Sequence, residues 1–295
     1  MKPHTLITAL LLVGSLIGSA ARAADSPAPS GSGAKANLPP GEGQAKQRLE
    51  QSPRHGEYVD IKVDGGRAPL RSYVVYPERK EKAPVVIVIQ EIFGLTDWIK
   101  SVADQLAADG FIAIAPDLLS GQGKDGGGTE SFGSRDEVTK AVRSLKAEDV
   151  VTALNAVRDY GKKLPASNGK TATIGFCWGG AQSFNYAVAQ PALDAAVVYY
   201  GTSPSDPSAF EKIKAPVLGL YGSDDARVNA TVPPAQEAMK KANKTYQAHT
   251  YEGAGHGFLR QQDGRDGANL KAAQQAWPET IRFLREHTKD GASSE

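Results

Sequence analysis

The sequence predicts an α/β fold in which a mostly parallel central sheet of about eight strands is flanked by helices. Over residues 54–288, short β-rich runs alternate with helical patterns. The central runs, above all Val85-Val86-Ile87-Val88-Ile89, are apolar at every position, which a strand tolerates only when both of its faces are covered. The 295 residues contain one cysteine, so no internal disulfide and no cysteine cage for zinc or an iron-sulfur cluster can hold the chain together. The core must do so.

The elements follow in order. Lys2 precedes an apolar run from Leu6 to Ile17 and the small-residue site Ala21-Arg22-Ala23, the pattern of a cleavable signal peptide over residues 1–23. The run is shorter than the roughly 20 residues of a membrane-spanning helix, so the mature protein is expected to be periplasmic or secreted and not held in a membrane. Residues 24–53, rich in Ala, Ser, Pro, Gly and Gln, read as a disordered linker. A folded domain over 54–288 and a flexible tail over 289–295 complete the chain. Predicted strands are Tyr58–Val63, Arg71–Tyr76, Pro84–Gln90, Phe111–Pro116, Thr171–Phe176, Ala195–Tyr200, Val217–Tyr221 and Tyr246–Tyr251, each an apolar or β-branched run bounded by turn residues. Predicted helices are Thr96–Asp109, Arg135–Lys162, Trp178–Ala189, Pro233–Ala242 and Asn269–His287.

Charge narrows the function classes. With 34 basic and 33 acidic side chains the chain is nearly neutral, which argues against a nucleic-acid or anionic-membrane surface. There is no G-x-x-x-x-G-K-[ST] phosphate loop and no H-E-x-x-H zinc motif, and no cofactor or metal is expected.

The lone Cys177 lies in Gly175-Phe176-Cys177-Trp178-Gly179-Gly180, between a predicted strand and a predicted helix. A nucleophile on such a turn needs small residues two before and two after it, because the backbone is strained and the flanking elements approach closely. The N-terminus of the following helix favours a thiolate and an oxyanion beside it. A buried packing cysteine is the competing explanation, set aside because an exported unpaired thiol without a purpose is a liability.

In hydrolases of doubly wound type the acid follows the nucleophile and the histidine comes last. His256, in the loop Gly253-Ala254-Gly255-His256-Gly257-Phe258, fits the last position. For the acid, Gly222-Ser223-Asp224-Asp225 follows the strand Val217–Tyr221; Asp225 fits the usual spacing, with Asp224 as the alternative. Glu91 follows the strand Pro84–Gln90 at the sheet edge where sites assemble, and the backbone N–H groups of Ile92 and Trp178 are candidates for an oxyanion hole.

Taken together, Gln90-Glu91-Ile92-Phe93-Gly94-Leu95, Gly175 to Gly180, the aspartate after Tyr221-Gly222-Ser223, and Gly253 to Phe258 resemble the dienelactone hydrolase family of α/β-hydrolases, over about Tyr58 to Leu284. The resemblance implies an α/β-hydrolase fold and a triad of Cys177, His256 and Asp225. It also implies a Glu91 that contacts the resting thiol and takes its proton once substrate binds. It implies that Arg260 holds a substrate carboxylate and that Tyr200 lies in the substrate site. The stretch between Leu118 and Ala147 departs from the family's pattern of arginine, tyrosine and tryptophan; Arg135 and Arg143 are the available stand-ins. The expected partner is a small ester or lactone cleaved through a cysteine acyl-enzyme, by a chain expected to be monomeric. The competing function is a non-catalytic hydrolase-fold protein that binds a ligand or senses oxidation through Cys177.

Overall fold

The computed structural model describes residues 38–289. The expected signal peptide, residues 24–37 of the expected linker and the expected tail from residue 290 lie outside the described residues.

Eight strands form one sheet in the order β1-β2-β4-β3-β5-β6-β7-β8. They are β1 (Gly56–Ile61), β2 (Leu70–Val75), β3 (Ala83–Ile89), β4 (Ile112–Pro116), β5 (Ser167–Phe176), β6 (Ala195–Tyr199), β7 (Val217–Asp224) and β8 (Tyr246–Gly255). Only β2 runs against its neighbours; from β4 to β8 every pairing is parallel. All eight predicted strands are present, and this is the architecture of the α/β-hydrolase fold.

The reason lies in the period-2 alternation of side chains across a strand. On β3, Val86 and Val88 face a core that includes Trp98, Ile99, Val102 and Leu106 of α2 (Asp97–Ala108) and Trp277, Ile281 and Leu284 of α8 (Ala268–His287). Val85, Ile87 and Ile89 face the opposite core, built with Val150, Leu154 and Val157 of α4 (Ala147–Lys163) and Phe184 and Ala187 of α5 (Trp178–Ala189). The strand is apolar throughout because it is buried twice.

Two expectations are corrected. The predicted helix Arg135–Lys162 is two helices, α3 (Arg135–Ser144) and α4, separated by Leu145 and Lys146 in extended conformation. No glycine or proline marks the break. It lets Val138 and Val142 of α3 pack on Leu119 in a small separate core, to which Leu145 also contributes.

The expected linker is also corrected for its described part. Residues 38–53 are packed: Glu42–Gln44 form a 3-10 turn and α1 spans Ala45–Glu50. Leu38 and Ala45 are buried in the α2/α8 core. The Trp98 indole N–H donates to the Pro40 carbonyl at 3.0 Å, and the Gln262 amide donates to that of Pro39 at 2.9 Å. Just beyond, the Arg54 guanidinium grips Asp104 of α2 with two hydrogen bonds. A further short helix, α6 (Ala226–Asn229), precedes α7 (Val232–Lys241). Among the described residues no helix is long and apolar enough to cross a membrane.

The parallel strands all end toward one edge, and there the chain comes into its closest approach. A Cβ on Gly179 would stand 2.3 Å from the Gln90 carbonyl oxygen and 2.4 Å from that of Ile89. Both obstacles are backbone, so neither can swing aside. Gly179→Ala is therefore expected to destabilise the protein by about 3 kcal/mol or to prevent folding, whereas Gly43→Ala, with open space around it, should stay within about 0.5 kcal/mol of wild type. Denaturant melts of the two variants check the contrast.

Candidate active site

Cys177 occupies the turn between β5 and α5 with φ 56° and ψ −116°, a conformation rare for a residue with a side chain. Its neighbours explain how the turn is tolerated. A Cβ on Gly175 would fall 1.9 Å from the Gly179 carbonyl oxygen, and one on Gly180 would fall 2.6 Å from that of Tyr199. The glycines flanking the cysteine are thus required by backbone contact. The Cys177 N–H donates to Tyr199 O at 3.0 Å and its carbonyl accepts from Ala181 at 3.2 Å, which pins both ends of the turn. The thiol is free and half-buried.

His256 stands just past the end of β8, and its Nδ1 lies 2.5 Å from Asp225 Oδ2. That leaves Nε2 free of Asp225, and Cys177 lies close enough to the ring to act on its charge. Burial pushes the imidazolium toward losing its proton, but Asp225 and Cys177 outweigh it, and the His256 pKa is pushed up to about 9. Asp225 is buried at the end of β7, where the Asn229 amide bonds the Gly222 and Ser223 carbonyls and shapes the turn. Asp224 points elsewhere, exposed and paired with Arg265. Of the two aspartates, Asp225 is the one brought to the imidazole. The other described histidines have separate surroundings: His55 is exposed, His249 pairs with Glu279 and His287 packs on Phe283.

Glu91 follows β3 directly and is almost fully buried. Burial pushes its pKa up to about 7, against the opposing pull of Arg260 and then His256. The Glu91 carboxylate makes no hydrogen bond to the Cys177 thiol. It instead meets Arg260, with Oε2 2.8 Å from Nε. The Nε–H is not aimed along that line, so the contact is an ion pair more than a hydrogen bond.

Ile92 and Trp178 both pack against the small core of Leu119, and the approach of Gly179 to the Gln90 carbonyl brings the two backbone segments named for the oxyanion hole together. The first turn of α5 leaves its N–H groups without partners inside the helix. Tyr200 is fully buried with φ 39°, its ring centroid 5.2 Å from that of His256. Its hydroxyl has no partner among the described residues, and burial, reinforced by Glu91, holds its pKa well above the usual tyrosine range.

Two further residues gather here that motif reading did not single out. Glu42, from the turn preceding α1, pairs its carboxylate with Arg260 and, at 3.4 Å, with Arg135 of α3. Phe93 carries the Arg135 guanidinium 3.6 Å above its ring and has that of Arg260 at 5.2 Å. Arg143 is exposed on α3 and makes none of these contacts. The glycine-rich stretch 121–128 folds on itself, with Gly121 and Gly123 both donating to Gly127 O, and Asp117 holds Thr129 behind it. Among the described residues no three His, Cys, Asp or Glu side chains come together as metal ligands.

Comparison with known proteins gives the same family three times. The family model for the dienelactone hydrolase family matches residues 70–288. A provisionally named carboxymethylenebutenolidase of Saccharolobus solfataricus is 31% identical over 263 residues, covering 78% of this chain and 99% of that protein. The carboxymethylenebutenolidase of Pseudomonas putida is 33% identical over 189 residues, 61% of this chain and 77% of the relative. Among solved structures, a provisionally named dienelactone hydrolase of Klebsiella pneumoniae superimposes with a TM-score of 0.70 at 28% identity, covering 79% of this chain and 99% of that one. By motif, sequence and fold, this chain belongs to the dienelactone hydrolase family and is a hydrolase of the carboxylic ester class.

Proposed function

We propose that the protein cleaves a small ester or lactone through a cysteine acyl-enzyme, with Cys177 as nucleophile, His256 as base and acid, and Asp225 as the group that orients the imidazole. One observation carries the reading: an imidazole held by Asp225 at 2.5 Å, with the thiol of a strained strand-to-helix turn as its other neighbour.

The steps follow from those positions. With the thiol proton transferred to His256, the sulfur attacks the carbonyl carbon while the C=O electron pair moves onto oxygen. The N–H groups of Ile92 and Trp178, at the positive end of α5, receive that oxyanion. Collapse expels the alkoxide, which takes the proton from His256 and leaves a thioester. In a lactone the alcohol stays tethered, so this step opens the ring. Water then attacks the thioester carbonyl, giving a proton to His256, and the acid departs as the sulfur returns to its ground state. Asp225 fixes the tautomer and stabilises the imidazolium throughout.

Tyr200 and Arg260 form the wall beside the imidazole against which the substrate rests. Glu91 completes the electrostatics, its ionised carboxylate favouring the imidazolium of His256. We place this chemistry in the periplasm or outside the cell on the strength of residues 1–23; a mature chain that begins at Ala24 is the expected product of export, and retention of Met1 on exported protein counts against it.

The direct test is Cys177→Ala, which should abolish hydrolysis of an activated aryl ester while leaving the thermal midpoint near wild type; retained turnover sinks the mechanism. The pH dependence is a second. kcat/KM should rise as Glu91 loses its proton near pH 7 and fall as His256 loses its proton near pH 9. Glu91→Gln should lower kcat/KM by roughly 100-fold and erase the acid limb from the residual rate. An acid limb that stays in place in that variant contradicts the assignment.

A further inference from the structure

The Glu42 carboxylate sits among cations beside the candidate active site. Two guanidinium groups, Arg260 and Arg135, converge on it, and Phe93 lies beneath both cations. Such a fork of cations above an aromatic ring is what would bind the carboxylate of a substrate. Here the chain supplies that carboxylate itself, from a residue 218 positions away from Arg260.

Glu42 is held in place by more than its charge. Its backbone N–H donates to the Arg260 carbonyl at 2.9 Å, so the main chains of the two residues are joined as well as their side chains. The segment around it is fastened by Trp98 to Pro40 and by Gln262 to Pro39, and is followed by the Arg54 pair with Asp104. A carboxylate anchored this way is a fixed part of the wall.

We propose that Glu42 is a specificity-determining residue: by filling the cationic subsite of Arg260 and Arg135 it makes the active site select esters or lactones that are neutral at that end, and reject substrates that carry a carboxylate there. The inference rests on the esterase reading above. Discrimination arises because the cations that would attract an anionic group are already neutralised, and the 43% exposed side chain of Glu42 repels a second carboxylate brought to the same place.

The experiment compares wild type with Glu42→Gln on a matched pair of aryl esters, a succinic acid monoester with a free carboxylate and its uncharged methyl-capped counterpart. The ratio of kcat/KM for the anionic over the neutral ester should rise by about tenfold or more in the variant. Direct binding of succinate, followed by calorimetry, should tighten by a similar factor. Glu42→Asp keeps the negative charge at the subsite and should leave the ratio near that of wild type. The proposal is overturned if Glu42→Gln leaves both the ratio and succinate affinity unchanged, or if Glu42→Asp raises the ratio equally. The binding arm keeps the two readings apart. If no ester is turned over but succinate binds Glu42→Gln more tightly, the esterase reading fails and the subsite stands; if esters are cleaved and neither measurement responds to the charge change, the reverse holds.

Discussion

The backbone of Cys177, at φ 56° and ψ −116°, is the constraint from which the rest of the site follows. A residue with a side chain in such a conformation costs on the order of 1–3 kcal/mol, and it persists only where the surroundings over-determine it. Here they do: β5 is buried between β3 and β6, α5 packs directly on the sheet, and the glycines at 175, 179 and 180 remove every Cβ that would hold the elements apart. The strained turn presents the sulfur at the sheet's edge, beside the open first turn of a helix.

The same edge gathers the other groups without special geometry of their own. Parallel strands end together, so loops that leave β3, β5, β7 and β8 bring Glu91, Cys177, Asp225 and His256 into one place although they span 165 residues of sequence. What differs among them is environment. Asp225 and Glu91 are both buried carboxylates, yet Asp225 is bonded to an imidazole and Glu91 is set against a guanidinium, with burial pushing its pKa up to about 7. Similar side chains thus hold different electrostatic positions in one site.

The parts legible in the sequence were those written in local pattern. Fully apolar runs marked the strands of the sheet interior, and glycine spacing around Cys177 and His256 marked the turns, because each reports a contact made by the backbone nearby. Asp225 was separable from Asp224 only weakly by spacing; burial and partner distinguish them in the structure, with Arg265 drawing Asp224 outward. The break at Leu145 and Lys146 left no punctuation, since extended residues there serve the packing of Val138 and Val142 on a distant loop. Residues 38–53 escape sequence reading for a related reason. Their composition is that of a linker, and their attachment depends on proline carbonyls, one small buried patch and ion pairs with residues far along the chain. The Arg260 pairing with Glu91 likewise belongs to three-dimensional context, as does the carboxylate that Glu42 delivers.

The proposed chemistry depends on a covalent bond to one sulfur. Incubating the protein with a slowly deacylated aryl ester, then measuring the intact mass and mapping the modified peptide, tests this most directly. The account predicts a mass increase equal to one acyl group, located on Cys177 and decaying at the rate of turnover. Steady hydrolysis with Cys177 unmodified, or an acyl group that forms on another residue at the catalytic rate, contradicts it.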